Sequence, residues 1–176
     1  MPLDVTSDES FAALSARLQN RPIDILIANA GILTGRGGIE SAENDTDTWN
    51  RILATNVTGA VQTIRSFLPN VRAAKGKIAV ISSRMGSSAR TGPNTYAYRA
   101  SKAAISNFVL NLSQELKPEG IAIAALHPGH VRTALGGPNG ELSAEDSAAH
   151  MVDRIDELTL ASTGAFLNWD GTRIPY

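Results

Sequence analysis

Three side chains in this sequence are of the types and spacing that could move a proton at a reacting oxygen: Ser83, Tyr98 and Lys102. Tyr98 and Lys102 are four residues apart within a stretch of helical periodicity, so both project from one face. An ammonium held there favours the phenolate and is expected to draw the tyrosine pKa down from about 10 toward neutrality. A phenol tuned in that way can give a proton to an oxygen or take one from it. Taken singly, the pair reads equally well as two surface residues of an amphipathic helix. Tyr96, two residues earlier, has no lysine four residues later.

The elements that must position these residues follow from the alternation of short apolar runs with amphipathic stretches, which is the pattern of a parallel α/β sheet. Pro2–Val5 has the composition of a brief strand, followed by a helix that starts at Thr6 or Ser7 and stops at Asn20–Pro22. Ile23–Ala28 is almost continuously apolar, as expected of a strand buried on both faces. Asp45 or Thr46 can cap a long helix over Thr46–Leu68. Lys77–Ser83 is the next strand, and it delivers Ser83 at its carboxyl end, where open parallel sheets bind ligands. The loop Arg84–Asn94 leads to a second long helix, about Thr95 to Leu116, closed by Pro118 and Gly120. Ile121–Leu126 is a third buried strand. Pro128–Gly140 is a loop, Ser143 with Asp146 forms a capping box for a helix reaching about Leu158, and Gly164–Trp169 is a last strand. No repeat or linker interrupts residues 1–176, so a single domain is expected.

Composition excludes several function classes. Sixteen basic residues against 17 acidic ones leave a net charge of −1, so nothing draws the chain generally to nucleic acid or to acidic membranes. Cysteine is absent, which removes disulfides, thiol catalysis and cysteine metal sites and fits a cytoplasmic location. His127, His130 and His150 lack the spacing of a metal site, and no metal is expected. No apolar run approaches membrane-spanning length. Arg84, Arg90 and Arg99 surround the serine strand and could meet an anionic substrate, although a solvated surface is the plainer reading.

Further strings, in order along the chain, resemble the short-chain dehydrogenases/reductases. Asn29-Ala30-Gly31 after a buried strand is similar to that family's N-N-A-G signature, with Ala28 in the place of the first asparagine. Asn56 in LATNVTG, VISSRMGS at Val80–Ser87, YAYRASKAA at Tyr96–Ala104 and HPGHVRT at His127–Thr133 resemble its later motifs. SSRMGS and the terminal WDGTRIPY resemble its C-factor-like and sniffer-like carbonyl reductase branch.

That resemblance implies hydride transfer between NAD(P)H and a carbonyl or alcohol carbon of a small substrate. It makes Tyr98 the proton donor and acceptor, Ser83 a support for the substrate oxygen, and Lys102 the residue that tunes Tyr98 and holds the nicotinamide ribose. Asn56 would support a water beside Lys102 through a local break in its helix. Asp4, Asn29, Ala30, Gly31, Pro128, Gly129 and Thr133 would contact the cofactor. Tyr98 falls 15 residues after Ser83 where the family usually has 13, which implies a two-residue insertion in the Arg84–Asn94 loop. His130 stands where the family often has an aromatic residue and is not expected to act as a base. Trp49 and Trp169 are expected to pack.

The family's opening strand, its T-G-x-x-x-G-x-G turn and its second strand have no counterpart here. The expectation is therefore a partial Rossmann-like doubly wound parallel sheet, truncated at its amino end and lacking the first two strands and helices. Cofactor affinity should fall by several kcal/mol, with turnover weak or absent, because the missing turn supplies the N–H groups that hold a pyrophosphate. The alternative is a non-enzymatic C-factor-like signalling or protein-binding module on the same scaffold. Ile23–Ala28 would become an apolar sheet edge, to be covered by a rearranged amino end or by self-association. The surfaces of the two long helices add a second route to a homo-oligomer.

Overall fold

The computed structural model describes residues 2–176. Its centre is a four-stranded parallel sheet in the order β1 (Ile25–Ala28), β2 (Lys77–Ile81), β3 (Ala122–His127) and β4 (Phe166–Asn168). The helices are α1 (Asp8–Leu18), α2 (Thr46–Leu53), α3 (Ala60–Ala74), α4 (Tyr96–Leu116) and α5 (Ala144–Asp156). Strand order equals chain order, so each crossover advances in the same direction, as βαβ units do.

Alternation along the strands divides the core in two. Leu26, Ala28, Ile78, Val80, Ile123 and Ala125 face α1, α3 and α4, which contribute Phe11, Ile64, Phe67, Val71, Ile105 and Val109. Ala79, Ala122, Ala124 and Leu126 face Met151 and Ile155 of α5 and Leu158 just beyond it. α5 packs its side chains on β2 and β3 and is tied to β2 by Lys77 Nζ, which donates to the Ile155 and Asp156 carbonyls, but it does not cover β1. Ile25 and Ile27 are consequently 45% and 46% exposed. The continuous apolar run at Ile23–Ala28 therefore does not make a strand buried on both faces: it is an edge strand with one finished face.

The amino end departs from expectation as well. Pro2–Val5 forms no strand, since no neighbouring strand is present to take its backbone groups. Asp4 instead organises a helix start. Its carboxylate accepts from the Thr6 N–H and hydroxyl, and its own N–H donates to Ser10 Oγ. Ser7 caps α1 by accepting from the Ser10 N–H. The segment does not rearrange to pair with β1, whose one partner is β2. It packs on the helical side, Val5 lying close against Gly59.

The predicted long helix Thr46–Leu68 is real but broken and extended. Asp45 caps it through the Thr48 N–H, a π-helical segment runs over Ala54–Gly59, and α3 continues through Pro69 to Ala74. Burial of Phe67, Asn70 and Val71 around Pro69 carries the helix past the residue that ordinarily ends one. Asn70 Nδ2 also clips the α1–β1 turn by donating to the carbonyls of Gln19 and Arg21, 2.8 Å each. No helix among the described residues is long and apolar enough to cross a membrane.

Candidate active site

β2 ends at Ile81, and the next two residues do different work. Ser82 ties the strand to α4: its hydroxyl lies 2.6 Å from Ser106 Oγ and 3.2 Å from the Lys102 carbonyl. Ser83 begins a short 3-10 turn (Arg84–Gly86) and accepts from the Met85 N–H at 3.2 Å. Gly86 permits this turn to rest on α4, for a Cβ there would come within 2.5 Å of the Lys102 backbone. Ser83 is thereby held against the amino end of α4, whose capping residue Thr95 adopts left-handed φ.

On α4, Tyr98 and Lys102 are 6% and 4% exposed, so the surface-pair reading does not apply. Lys102 Nζ sits 5.7 Å from the Tyr98 ring centroid and donates to the Ile81 carbonyl at 2.8 Å. Burial lowers the Lys102 pKa to about 8. The expected depression of Tyr98 is not found: burial raises its pKa, against smaller lowering effects from the Ser83 hydroxyl and the Arg36 charge. Desolvation therefore outweighs the neighbouring charges, and Tyr98 stands as a neutral phenol. Such a phenol is a proton donor to an oxygen that gains negative charge.

Asn56 lies in the π-helical segment, where the altered backbone turns its side chain inward, 1% exposed. All of its polar groups are used. Its Oδ1 accepts from the Ile32 N–H at 2.8 Å, and its Nδ2 donates to the Ile32 carbonyl at 2.9 Å and to Ser101 Oγ at 3.0 Å. Ser101 in turn donates to the Tyr98 carbonyl at 2.7 Å. The loop after β1, the π segment and α4 are thus joined by one buried network. Ile32, Ser101 and Ser82 were not singled out from the sequence. Ser101 and Ser82 could have been, because each neighbours a candidate residue on an otherwise apolar face.

The other predicted residues divide by location. Gly31 belongs to the cluster: a Cβ there would lie 3.4 Å from Lys102 Nζ and 3.6 Å from Asn56 Oδ1. Asn29 and Ala30 are exposed beside it. Pro128 accepts from Ser147 Oγ at 2.8 Å, which ties the loop after β3 to α5. Gly129 has φ +87° and no room for a side chain against Leu142 and Trp169. Thr133 is exposed, and its hydroxyl accepts from the Gly136 N–H. Asp4 is exposed, its carboxylate engaged by Thr6.

Arg36 was missed because it lies in a glycine-rich loop without a motif. Its guanidinium donates to the Leu135 carbonyl at 2.9 Å and joins the loops that follow β1 and β3. Arg99, grouped with Arg84 and Arg90 in the sequence, is a structural residue that donates to the carbonyls of Met85 and Arg90. His130 Nε2 lies 2.8 Å from the Gly136 carbonyl, inside the loop. Trp49 Nε1 donates to Asn44 Oδ1, and Trp169 packs on His150 with centroids 4.7 Å apart.

A nicotinamide ribose fits the residues present. Lys102 spends one N–H on Ile81, which leaves two for hydroxyl groups, and the absent Cβ of Gly31 leaves space next to Nζ. A pyrophosphate has no comparable cradle among the described residues, because β1 runs into the Asn29–Gly38 loop and not into a helix amino end.

Comparison with known proteins agrees with this arrangement. The short chain dehydrogenase family model matches residues 1–142. The C-signal protein of Myxococcus xanthus is 38% identical over 168 residues, which span 93% of this chain and 99% of the relative. The carbonyl reductase Sniffer of D. melanogaster superposes with a TM-score of 0.91 at 27% identity, covering 100% of this chain and 77% of that one. An NADPH-bound carbonyl reductase from chicken fatty liver gives 0.85 at 28% identity, covering 99% and 76%.

Proposed function

The chain belongs to the short-chain dehydrogenase family, and on that premise we propose that its buried cluster is the proton-transfer half of an NAD(P)-dependent carbonyl/alcohol oxidoreductase site. The observation that carries the proposal is the burial of Tyr98 and Lys102 together, with Lys102 Nζ 5.7 Å from the Tyr98 ring centroid. The nicotinamide cofactor, when bound, supplies or accepts the hydride at the carbonyl or alcohol carbon. Tyr98 donates its phenolic proton to the substrate oxygen in reduction and takes it back in oxidation. Ser83 donates a hydrogen bond to the same oxygen and holds it at the phenol. Lys102, charged below about pH 8, stabilises the phenolate left after transfer and offers its free N–H groups to the ribose. Asn56 acts through Ser101 and Ile32 to keep α4 and the loop after β1 in register, and is a positioning residue.

Gly31, Asn29, Ala30, Pro128, Gly129 and Thr133 are proposed to border the cofactor's nicotinamide and inner-ribose end, and Asp4 its adenine end. With no cradle for the pyrophosphate, cofactor affinity is expected to be several kcal/mol below that of a complete dinucleotide site. We further propose a homo-oligomer, formed through the α2–α3 and α4 surfaces and the open edge of β1.

A second reading, binding or signalling without turnover, has one observation in its favour. The match to C-signal extends over 99% of that protein, whereas the carbonyl reductase chains are covered to about three-quarters. Titration of the purified chain with NADPH and NADH, followed by nicotinamide fluorescence and thermal stability, separates the readings. Micromolar binding supports the oxidoreductase; no binding at millimolar cofactor retires it and favours the second reading.

A further inference from the structure

A cavity of about 230 Å³ opens at the carboxyl end of the sheet, lined by Arg84, Arg90, Asn168, Thr172, Arg173, Ile174 and Pro175. None of Ser83, Tyr98 or Lys102 lines it. Three arginines line it, with no aspartate or glutamate among the lining residues. The ion pairs among the described residues are Arg72–Glu119 and Arg154–Glu157, so none of the three has an anionic partner. Nor does any of them donate a side-chain hydrogen bond to a described protein group, whereas neighbouring Arg99 has two.

Mutual repulsion would ordinarily spread three unpaired arginines apart. Here the backbone holds them together: Arg84 in the turn after Ser83, Arg90 in the following loop, and Arg173 in the segment that returns beside β4. Their field reaches inward as well. His127, at the end of β3, is 5% exposed with both ring nitrogens unpartnered. Its pKa is lowered to about 4, first by burial and then by the charges of Arg84, Arg90 and His130. A positive potential against low-dielectric walls is what concentrates anions in a cleft.

We propose that this cavity binds a small oxyanion-bearing ligand, a carboxylate or a phosphate, at a site separate from the proton-transfer cluster. Planar guanidiniums suit either group, since each can bind an oxyanion with paired N–H bonds. The volume is below the roughly 300 Å³ at which pockets begin to hold drug-sized ligands, so an anionic head group fits and a whole dinucleotide does not. Ile174 and Pro175 supply an apolar wall for the carbon atoms attached to that head.

The test needs neither a cofactor nor turnover. Inorganic phosphate and succinate are each titrated into the full chain at constant ionic strength, with chloride as the balancing ion and the unfolding midpoint as the readout. A saturable rise is expected with at least one of them, and with a carboxylate-only or phosphate-only response the chemical class is decided. The double variant R90Q/R173Q should weaken that response by about tenfold or more, while R65Q, which removes an exposed arginine from α3, leaves it intact. In the unmodified chain, the Nε–Hε resonances of Arg84, Arg90 and Arg173 should move together and saturate. A midpoint no higher than in chloride, a response that survives in R90Q/R173Q, or shifts spread evenly over all arginines would overturn the proposal.

Discussion

The carboxyl ends of β1 and β2 border the same cluster, yet they are finished differently. At β2, Ser82, Ser83, Tyr98, Ser101 and Lys102 are all buried, and the side chains of Ser82, Ser83, Ser101 and Lys102 are bonded to neighbouring side chains or to the backbone. At β1, Asn29 and Ala30 are exposed, and Ile25 and Ile27 lie open on the side that α5 does not cover. Only the α3 side of β1 is packed. The proposed proton-transfer half of the site is therefore organised by the chain's own contacts, while the half proposed to meet a cofactor presents unfinished surface.

The largest effect expected from breaking this contrast is on turnover. Tyr98→Phe should lower carbonyl reduction by about 10²–10⁴-fold, the usual contribution of a positioned acid, while the unfolding midpoint moves little. Turnover with NADPH by both proteins would be compared; an active Tyr98→Phe variant would remove the phenol from the mechanism. Next in size is the response of stability to pH. Lys102 (about 8, against 10.5) and His127 (about 4, against 6.5) both bind protons less readily when folded. The unfolded chain then holds more protons in each window, so stability should rise between about pH 4 and 6.5 and again between about 8 and 10.5. Each rise is on the order of 3 kcal/mol. Lys102→Met should abolish the alkaline rise alone, measured by urea unfolding across pH.

Asn56→Ala would strand the Ile32 N–H and carbonyl and take from Ser101 the bond its hydroxyl accepts, at a cost of about 2–3 kcal/mol. Asn29→Ala, on the exposed side, should cost no more than about 0.5 kcal/mol. Equal urea midpoints for the two variants would erase the distinction drawn between the two strand ends. Smallest is the effect of Ile25→Thr with Ile27→Thr. Stability should change by less than about 1 kcal/mol, while sedimentation shows weaker self-association. Unchanged sedimentation would dissociate the β1 surface from assembly.

How much of this was legible in the residues depended on how local the cause was. The capping signals of Ser7, Asp45 and Ser143 and the apolar runs at Lys77–Ser83 and Ile121–Leu126 placed helix starts and strands to within a residue or two, because each depends on neighbours in the chain. The four-residue spacing of Tyr98 and Lys102 was equally readable. What could not be read was coverage. Ile25 and Ile27 look like core residues until α5 is seen to stop over β2, and Pro2–Val5 looks like a strand until its partner is found missing. The direction of the Tyr98 pKa shift failed for a related reason: spacing reveals the nearby ammonium but not the depth of burial that outweighs it. Arg36 and Ser101 gain their roles only through contacts made across the fold.

The sheet has a further consequence, for the order in which the chain can acquire its structure. All three strand pairs are parallel, and each joins segments roughly 40–50 residues apart in sequence. No hairpin is available to nucleate the sheet, so loop-closure entropy must be met before any pairing rewards it. Folding in milliseconds to seconds is expected, not the microseconds of a helical bundle. During synthesis β1 emerges well before β2, and its isoleucines wait unpaired until a whole crossover has been made. The open strand is thus a vulnerability in time as well as in space: the nascent chain is most prone to wrong partners while β1 is still alone.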